Sequence, residues 1–242
     1  LGTRVIYPVE SPPRVPNLGE AIDAALDMPL QSEPLSALLE PAMRLTIMFD
    51  DIGTPTPKMR RPDIRGKVIE AVLTMAAEAG VDDVALVSAN GLNRRMTAEE
   101  LEYIVGERVF RSFYADGLLT NHDAEDADNL VTIGSTAAGD VALNARAAGS
   151  DLLIFVHLAD SPHRRGAAEI AAGLGSAATI SQLSGLQAQR SDAPAAEIAA
   201  LVSAAVRVFE IDAVLDNDVF APPLEFLCGR EWDWSLKDRA TW

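Results

Sequence analysis

The chain has 242 residues, enough for one large domain or two small ones, and 48% of them are hydrophobic, which suits a buried core. A formal net charge of −16 excludes the basic surface that nucleic acids and anionic membranes require. No apolar run is long enough to span a membrane, and the single cysteine, Cys228, excludes an internal disulfide, so we expect a cytoplasmic protein.

Apolar runs and helical stripes alternate through the middle of the chain. We predict strands over 44–51, 84–87, 152–156 and 208–216, and helices over 65–80, 97–105, 165–173 and 195–207. Residues 117–144 predict short strands separated by turns. This alternation is typical of an α/β fold with a mainly parallel sheet and helices on both faces.

Two segments flank this alternating pattern. Residues 1–43 are punctuated by prolines and predict an N-terminal arm followed by a short helix. Residues 218–242 contain all three tryptophans of the chain and predict a C-terminal docking arm. We therefore predict one domain overall, with its α/β core over 44–217.

Polar side chains follow three of the predicted strands. They are Asp50 and Asp51 after the first strand, Ser88, Asn90, Asn93 and Arg94 after the second, and His157, Asp160 and His163 after the strand over 152–156. Right-handed crossovers place the carboxyl ends of parallel strands at one edge of a sheet, where ligands bind in open α/β folds. The sequence therefore predicts a site at this edge.

Some of these residues also have plainer interpretations. Adjacent strand residues point to opposite faces, so one of Asp50 and Asp51 is expected to cap the following turn. His157, Asp160 and His163 include the donor types of a metal site, but their spacing matches no established motif, and we predict no metal there. For His163 the structural alternative is a loop histidine that bonds a backbone carbonyl.

Two basic doublets, Arg94–Arg95 and Arg164–Arg165, lie near the same edge. In so acidic a chain they mark either a docking point for an anion or ordinary surface ion pairs, and both interpretations stay open. His122 lies in a turn-rich stretch and is predicted to bond a neighbouring backbone group.

Four stretches, in order, resemble the N-terminal domain of the nickel-pincer lactate racemase family. They are DIGTPTP (51–57), similar to the family's DxTRPxP loop; SANGLNRRMTAEEL (88–101), similar to G-x-H-R-x-x-T-x-x-E-L; NHDAED (121–126) with VTIGSTAAGDVALN (131–144); and SPHRRG…GLGSAATISQLSG (161–185). Each stretch is short, but four in the same order identify the chain as a divergent member over about 20–217. The resemblance implies the α/β fold of that family's N-terminal domain.

In that family, a lysine anchors the pincer cofactor, one histidine binds its nickel, and two histidines exchange protons with lactate. The resemblance places one acid/base histidine at His163 and the loop aspartate at Asp51. Asn93 stands where the other acid/base histidine would be, and its amide does not titrate near neutrality. Leu183 replaces the nickel-binding histidine, and Thr54 replaces the loop arginine.

The family's anchoring lysine also has no match, because no lysine lies between Lys67 and Lys237. A covalent nickel-pincer cofactor is therefore not expected, while a cofactor held without a covalent bond stays open. The family's second domain has no counterpart in these residues, so a second domain or partner protein is a further expectation.

These observations lead to a hypothesis and an alternative. The first is a divergent lactate-racemase-like domain that binds a small carboxylate or phosphorylated ligand, or acts as a non-catalytic subunit. The alternative is a racemase or epimerase subunit whose active site is completed by a separate polypeptide. The candidate catalytic residues are His163 and Asp51, and the candidate ligand-binding residues are Thr54, Asn93, Arg94, His157, Asp160 and Arg164.

Overall fold

The computed structural model describes residues 15–53, 56, 59–159, 166–184, 193–215 and 223–242. Its strands are β1 (Arg44–Asp50), β2 (Asp83–Ala89), β3 (Leu119–Asn121), β4 (Leu130–Thr136), β5 (Gly139–Asn144), β6 (Leu152–Leu158) and β7 (Val208–Ala213). Its helices are α1 (Leu18–Asp27), α2 (Leu35–Leu38), α3 (Ile64–Glu78), α4 (Ala98–Val105), α5 (Glu107–Phe113), α6 (Ala145–Ala148), α7 (Ala167–Leu174), α8 (Ala177–Ser184), α9 (Ala193–Ala205) and α10 (Leu236–Thr241).

The main sheet has five parallel strands in the order β3-β2-β1-β6-β7. Its central strands β1, β2 and β6 are buried along most of their length because helices cover both faces of the sheet. Helices α1 to α5 pack on one face, against alternate residues such as Ile154 and Val156 of β6. Helices α6, α7 and α9 pack on the other face, against Leu153 and Phe155. The predicted α/β class with a parallel sheet is confirmed.

Residues 117–144, predicted as one unit of short strands, divide between two sheets. β3 joins the main sheet, whereas β4 and β5 pair with each other as an antiparallel hairpin. The buried His122 links this region to the turn between α7 and α8, since its Nε2 lies 2.9 Å from the Gly175 carbonyl oxygen. Burial lowers the pKa of His122 and favours the neutral ring, which agrees with the structural role predicted for it.

Local signals account for several helix ends. Thr97 and Glu100 form the predicted capping box of α4, in which each side chain accepts from the other's backbone N–H. Gly80 ends α3 with a φ of +77°, a conformation that favours glycine. Helices α5 and α8 were not predicted, because both are short and lack a clear cap or stripe.

The C-terminal segment, residues 223–242, forms an aromatic cluster of its own. The Trp234 ring centroid lies 5.0 Å from that of Phe226 and 6.0 Å from that of Trp242. Trp232 and Trp242 are exposed by 62% and 79%. The docking role of this segment stays a prediction. Among the described residues, every helix is too short or too polar to cross a membrane.

Candidate functional site

The carboxyl ends of β2, β1 and β6 lie side by side, and a cavity of about 170 Å³ opens at this edge. We call it the strand-end cavity. Its polar walls are Asp50, Asp51, Asn90, Asn93 and Glu169, and Met48 and Phe155 are among its apolar walls. Of the described residues in the predicted polar set, Asp50, Asp51, Asn90 and Asn93 line this cavity, whereas Ser88, Arg94 and His157 do not. A larger groove of about 700 Å³ lies between α3 and α5 and contains none of the predicted site residues.

Asp50 and His157 form a buried pair behind the strand-end cavity. His157 Nδ1 lies 2.9 Å from Asp50 Oδ2, so this nitrogen carries the donated proton, and the Leu158 N–H donates to the same oxygen at 2.6 Å. His157 Nε2 is buried with no hydrogen-bond partner among the described residues. Burial favours the neutral ring, but the hydrogen bond and charge of Asp50, with the charges of Asp212 and Glu169, outweigh it and raise the pKa of His157.

Asp51 and Asn93 form a second pair on the loops above the strands. Asp51 Oδ1 accepts from the Gly53 N–H at 3.0 Å, so Asp51, which the family motif favoured as the site-facing residue, also caps the turn. Asp51 Oδ2 accepts from Asn93 Nδ2 at 3.0 Å. The amide donor of Asn93 is thus already held by a carboxylate.

A buried ion pair lies beneath both of these pairs. Arg65 donates to both carboxylate oxygens of Asp63, and its Nη1 donates to the carbonyl oxygens of Asp50 and Asp51 at 2.7 Å each. The sequence analysis missed this contact. Asp63 precedes the first residues of α3, where an aspartate is a common N-cap. No local pattern in the sequence indicates that Arg65, two residues later, is buried.

The remaining predicted residues divide into two groups. Arg94 is 64% exposed and bonds Glu100 at 2.5 and 2.7 Å, and Arg95 pairs with Asp123, so the surface ion-pair interpretation describes their contacts in this structure. Thr54, Asp160, His163 and Arg164 lie outside the described residues.

The strand-end cavity is rich in hydrogen-bond acceptors. Its described walls include three carboxylates and no lysine or arginine. Asn90 donates to the Arg94 carbonyl oxygen at 3.2 Å, while its buried Oδ1 has no partner among the described residues. Such walls suit the donor end of a ligand, such as a hydroxyl group.

The Asp50–His157 pair gives an expectation for pH dependence. Because folding raises the pKa of His157, its ion pair with Asp50 stabilises the folded state. This stabilisation is fully present below about pH 6.5 and is lost as the pH rises through the folded-state pKa of His157. In Asp50→Asn the pKa of His157 falls, since burial then dominates. We expect the difference in unfolding free energy between wild type and D50N, measured by urea denaturation, to shrink from pH 5.5 to pH 8.5.

Burial shifts the pKa of His122 in the opposite direction, but His122 is unchanged in both proteins, so its contribution cancels in this difference. In His157→Gln no ring titrates at this position, so this variant is the reference for a free energy of unfolding without the Asp50–His157 contribution. If the free energies of unfolding of the wild type and D50N differ by the same amount at every pH, the described Asp50–His157 pairing is contradicted.

In the correspondence that the resemblance implies, the residues at the cofactor positions do not fit a nickel-pincer group. Leu183 in α8 packs partly buried against the core beneath α7 and has no atom that can bind nickel. The amide of Asn93 cannot exchange protons with a substrate. No lysine is present from residue 68 to residue 236 to anchor the group.

One of the comparisons with known proteins identifies a family. The family model described as the lactate racemase N-terminal domain matches residues 3–183, while no curated protein matches the chain. The solved structure of the lactate racemase apoprotein from Thermoanaerobacterium thermosaccharolyticum is similar at 19% identity with a TM-score of 0.66, covering 82% of this chain and 49% of that one. A protein from Thermotoga maritima is similar at 17% identity with a TM-score of 0.58, covering 83% and 51%.

This chain therefore spans about half the length of the solved structures that it matches. At identities this low the structural similarity establishes the fold alone, and it agrees with the parallel sheet described above. The family model is the stronger observation, because its match covers most of the sequence and includes three of the four stretches in full, with nearly all of the fourth. The chain belongs to the family of lactate racemase N-terminal domains.

Proposed function

We propose that this domain binds a small 2-hydroxy carboxylate, or a phosphorylated ligand of similar size, at the strand-end cavity, and that it does not racemise the ligand by pincer chemistry. The observation that carries the proposal is the Asp51–Asn93 pair. The resemblance places Asn93 where the family has a proton-exchanging histidine. Its amide donates to Asp51 at 3.0 Å and does not titrate as an imidazole would.

The chemistry of the cavity supports a ligand with a donor at one end and an anion at the other. Asp50, Asp51 and Asn90 supply acceptors for a hydroxyl group inside the cavity. Arg94, which follows the wall residue Asn93 in sequence, is the proposed positive charge for the carboxylate or phosphate, because its ion pair with Glu100 is exposed to water and therefore weak. The proposal adds Arg164 and Thr54 as further contacts, and retains His163 as a candidate acid/base group.

Calorimetric titration with D-lactate, L-lactate and inorganic phosphate tests this proposal. We expect saturable binding of at least one probe, and a loss of about tenfold in affinity for Asp51→Asn, because a hydrogen bond to a charged acceptor is weakened. Arg111→Ala, on an exposed helix face away from the cavity, is the control and should bind as wild type does. Equal affinity in D51N and wild type, or no binding of any probe, would refute the proposed site.

A second candidate is an isomerase subunit whose site is completed by another polypeptide. It is favoured by the match of the chain to the lactate racemase N-terminal domain. Both candidates assume a cytoplasmic location, which the single cysteine favours. Native mass spectrometry of the protein purified from its own host distinguishes them. The mass of the chain alone or its multiples, without nickel, supports the binding domain, whereas a stoichiometric second polypeptide with an added metal-bearing group supports the isomerase subunit.

A further inference from the structure

The guanidinium of Arg65 is almost completely removed from solvent at the end of β1. Its side chain is 2% exposed, and that of its partner Asp63 is fully buried. A charge buried to this degree is stable only when it is paired and its hydrogen bonds are made. The Nε and Nη2 groups of Arg65 donate to the Asp63 carboxylate, which supplies the counter-charge. The Nη1 group is left to bond other acceptors.

The other side of the guanidinium contacts the main chain of the site. Nη1 of Arg65 donates to the carbonyl oxygens of two successive residues, Asp50 and Asp51, at 2.7 Å each. Asp63 also caps α3 by accepting from the Arg65 N–H at 2.9 Å. The start of α3 and the end of β1 are thereby joined through one side chain.

Holding these two carbonyls fixes both peptide planes that flank Asp51. The direction of each neighbouring side chain is set by those planes. The Asp50 carboxylate reaches His157 and the Leu158 N–H, while the Asp51 carboxylate reaches Gly53 and Asn93. Adjacent residues that must serve two different partners need a rigid backbone between them.

We propose that Arg65 is the positioning residue of the strand-end cavity, which holds Asp50 on His157 and Asp51 on Asn93 through their own backbone carbonyls. Lysine cannot replace it, because a single ammonium does not span a carboxylate and two carbonyls as the planar guanidinium fork does. The role in ligand binding rests on the function proposed above, but the contact itself is tested without a ligand.

The test compares Arg65→Lys with a matched control, Arg146→Lys. Arg146 donates to the carbonyl oxygens of Leu45 and Asp83 at 3.0 Å each and to the Asp83 carboxylate at 2.6 Å, near the opposite end of the same strand. Both substitutions remove a guanidinium that bonds two carbonyls and a carboxylate. Only the first removes it from the end that carries the site.

The readout is the pKa of His157, followed by NMR titration of its ring nitrogens. The charged groups that face this ring are Asp50 from β1, Glu169 from α7 and Asp212 from β7. We expect the pKa of His157 to fall in R65K toward its value in D50N and to stay at the wild-type value in R146K, although both variants lose stability. A wild-type pKa in R65K would overturn the proposal, since Arg65 would then be merely structural.

If R65K does not fold, the wild-type protein provides the second measurement. Scalar couplings across hydrogen bonds from the Arg65 guanidinium to the carbonyl carbons of Asp50 and Asp51 are expected in NMR spectra. Their absence, with a coupling to Asp63 retained, would overturn the proposal. Failure of every probe to bind would instead refute the proposed ligand site and leave these two readouts unchanged.

Discussion

Replacing Asp63 with alanine is expected to lower the free energy of unfolding by about 3–5 kcal/mol. The substitution leaves the buried guanidinium of Arg65 without its counter-charge and removes the N-cap of α3. The cost is large because the arginine cannot reach water without separating α3 from the end of β1. Urea denaturation monitored by circular dichroism at pH 7 measures the loss.

The control for Asp63→Ala is Glu107→Ala, which removes an exposed ion pair with Arg111 four residues along α5. Its effect should be no more than about 0.5 kcal/mol, as is usual for exposed helical pairs. Equal effects of the two substitutions would contradict the burial of the Arg65–Asp63 pair.

Replacing Phe155 with alanine is expected to cost about 3–5 kcal/mol as well, for a different reason. The Phe155 side chain is buried in the core between β6 and α7, and it also forms an apolar wall of the strand-end cavity. Its ring centroid lies 5.0 Å from that of His157. Removing the ring leaves a void that β6 and α7 cannot close, because β6 is paired on both sides and α7 is packed against the sheet.

Two comparisons sharpen the Phe155 result. Phe155→Leu keeps most of the buried volume and should cost clearly less than alanine, whereas Tyr114→Ala removes an aromatic ring that is 42% exposed and should cost less than about 1 kcal/mol. Thermal or urea denaturation gives all three values. A Phe155→Ala variant as stable as Tyr114→Ala would show that this wall of the cavity is not packed as described.

The two substitutions act on different sides of the same site. Asp63 and Arg65 hold the backbone from which Asp50 and Asp51 project, and Phe155 fills the space behind the ring of His157. A domain that binds a ligand at this cavity needs this support. Stability and ligand affinity should therefore fall together in Phe155→Ala.

Much of the fold could be predicted because its signals are local. The apolar runs of β1, β2, β6 and β7 and the stripes of α3 and α9 repeat within a few residues, and the capping box at Thr97 spans only one turn. The placement of polar residues at strand ends was likewise predictable, since parallel strands with right-handed crossovers share an edge. The short helices α5 and α8 escaped prediction because they carry few periodic positions.

The sequence by itself determined the strands, the long helices, the caps and the set of polar residues at one edge of the sheet. Only the tertiary structure decided how those residues pair. Asp50 meets His157 across 107 positions of sequence because β1 lies beside β6, and no local pattern encodes that order. The burial of Arg65 and the position of Glu169 in the cavity wall were decided in the same way, since each depends on which elements pack together.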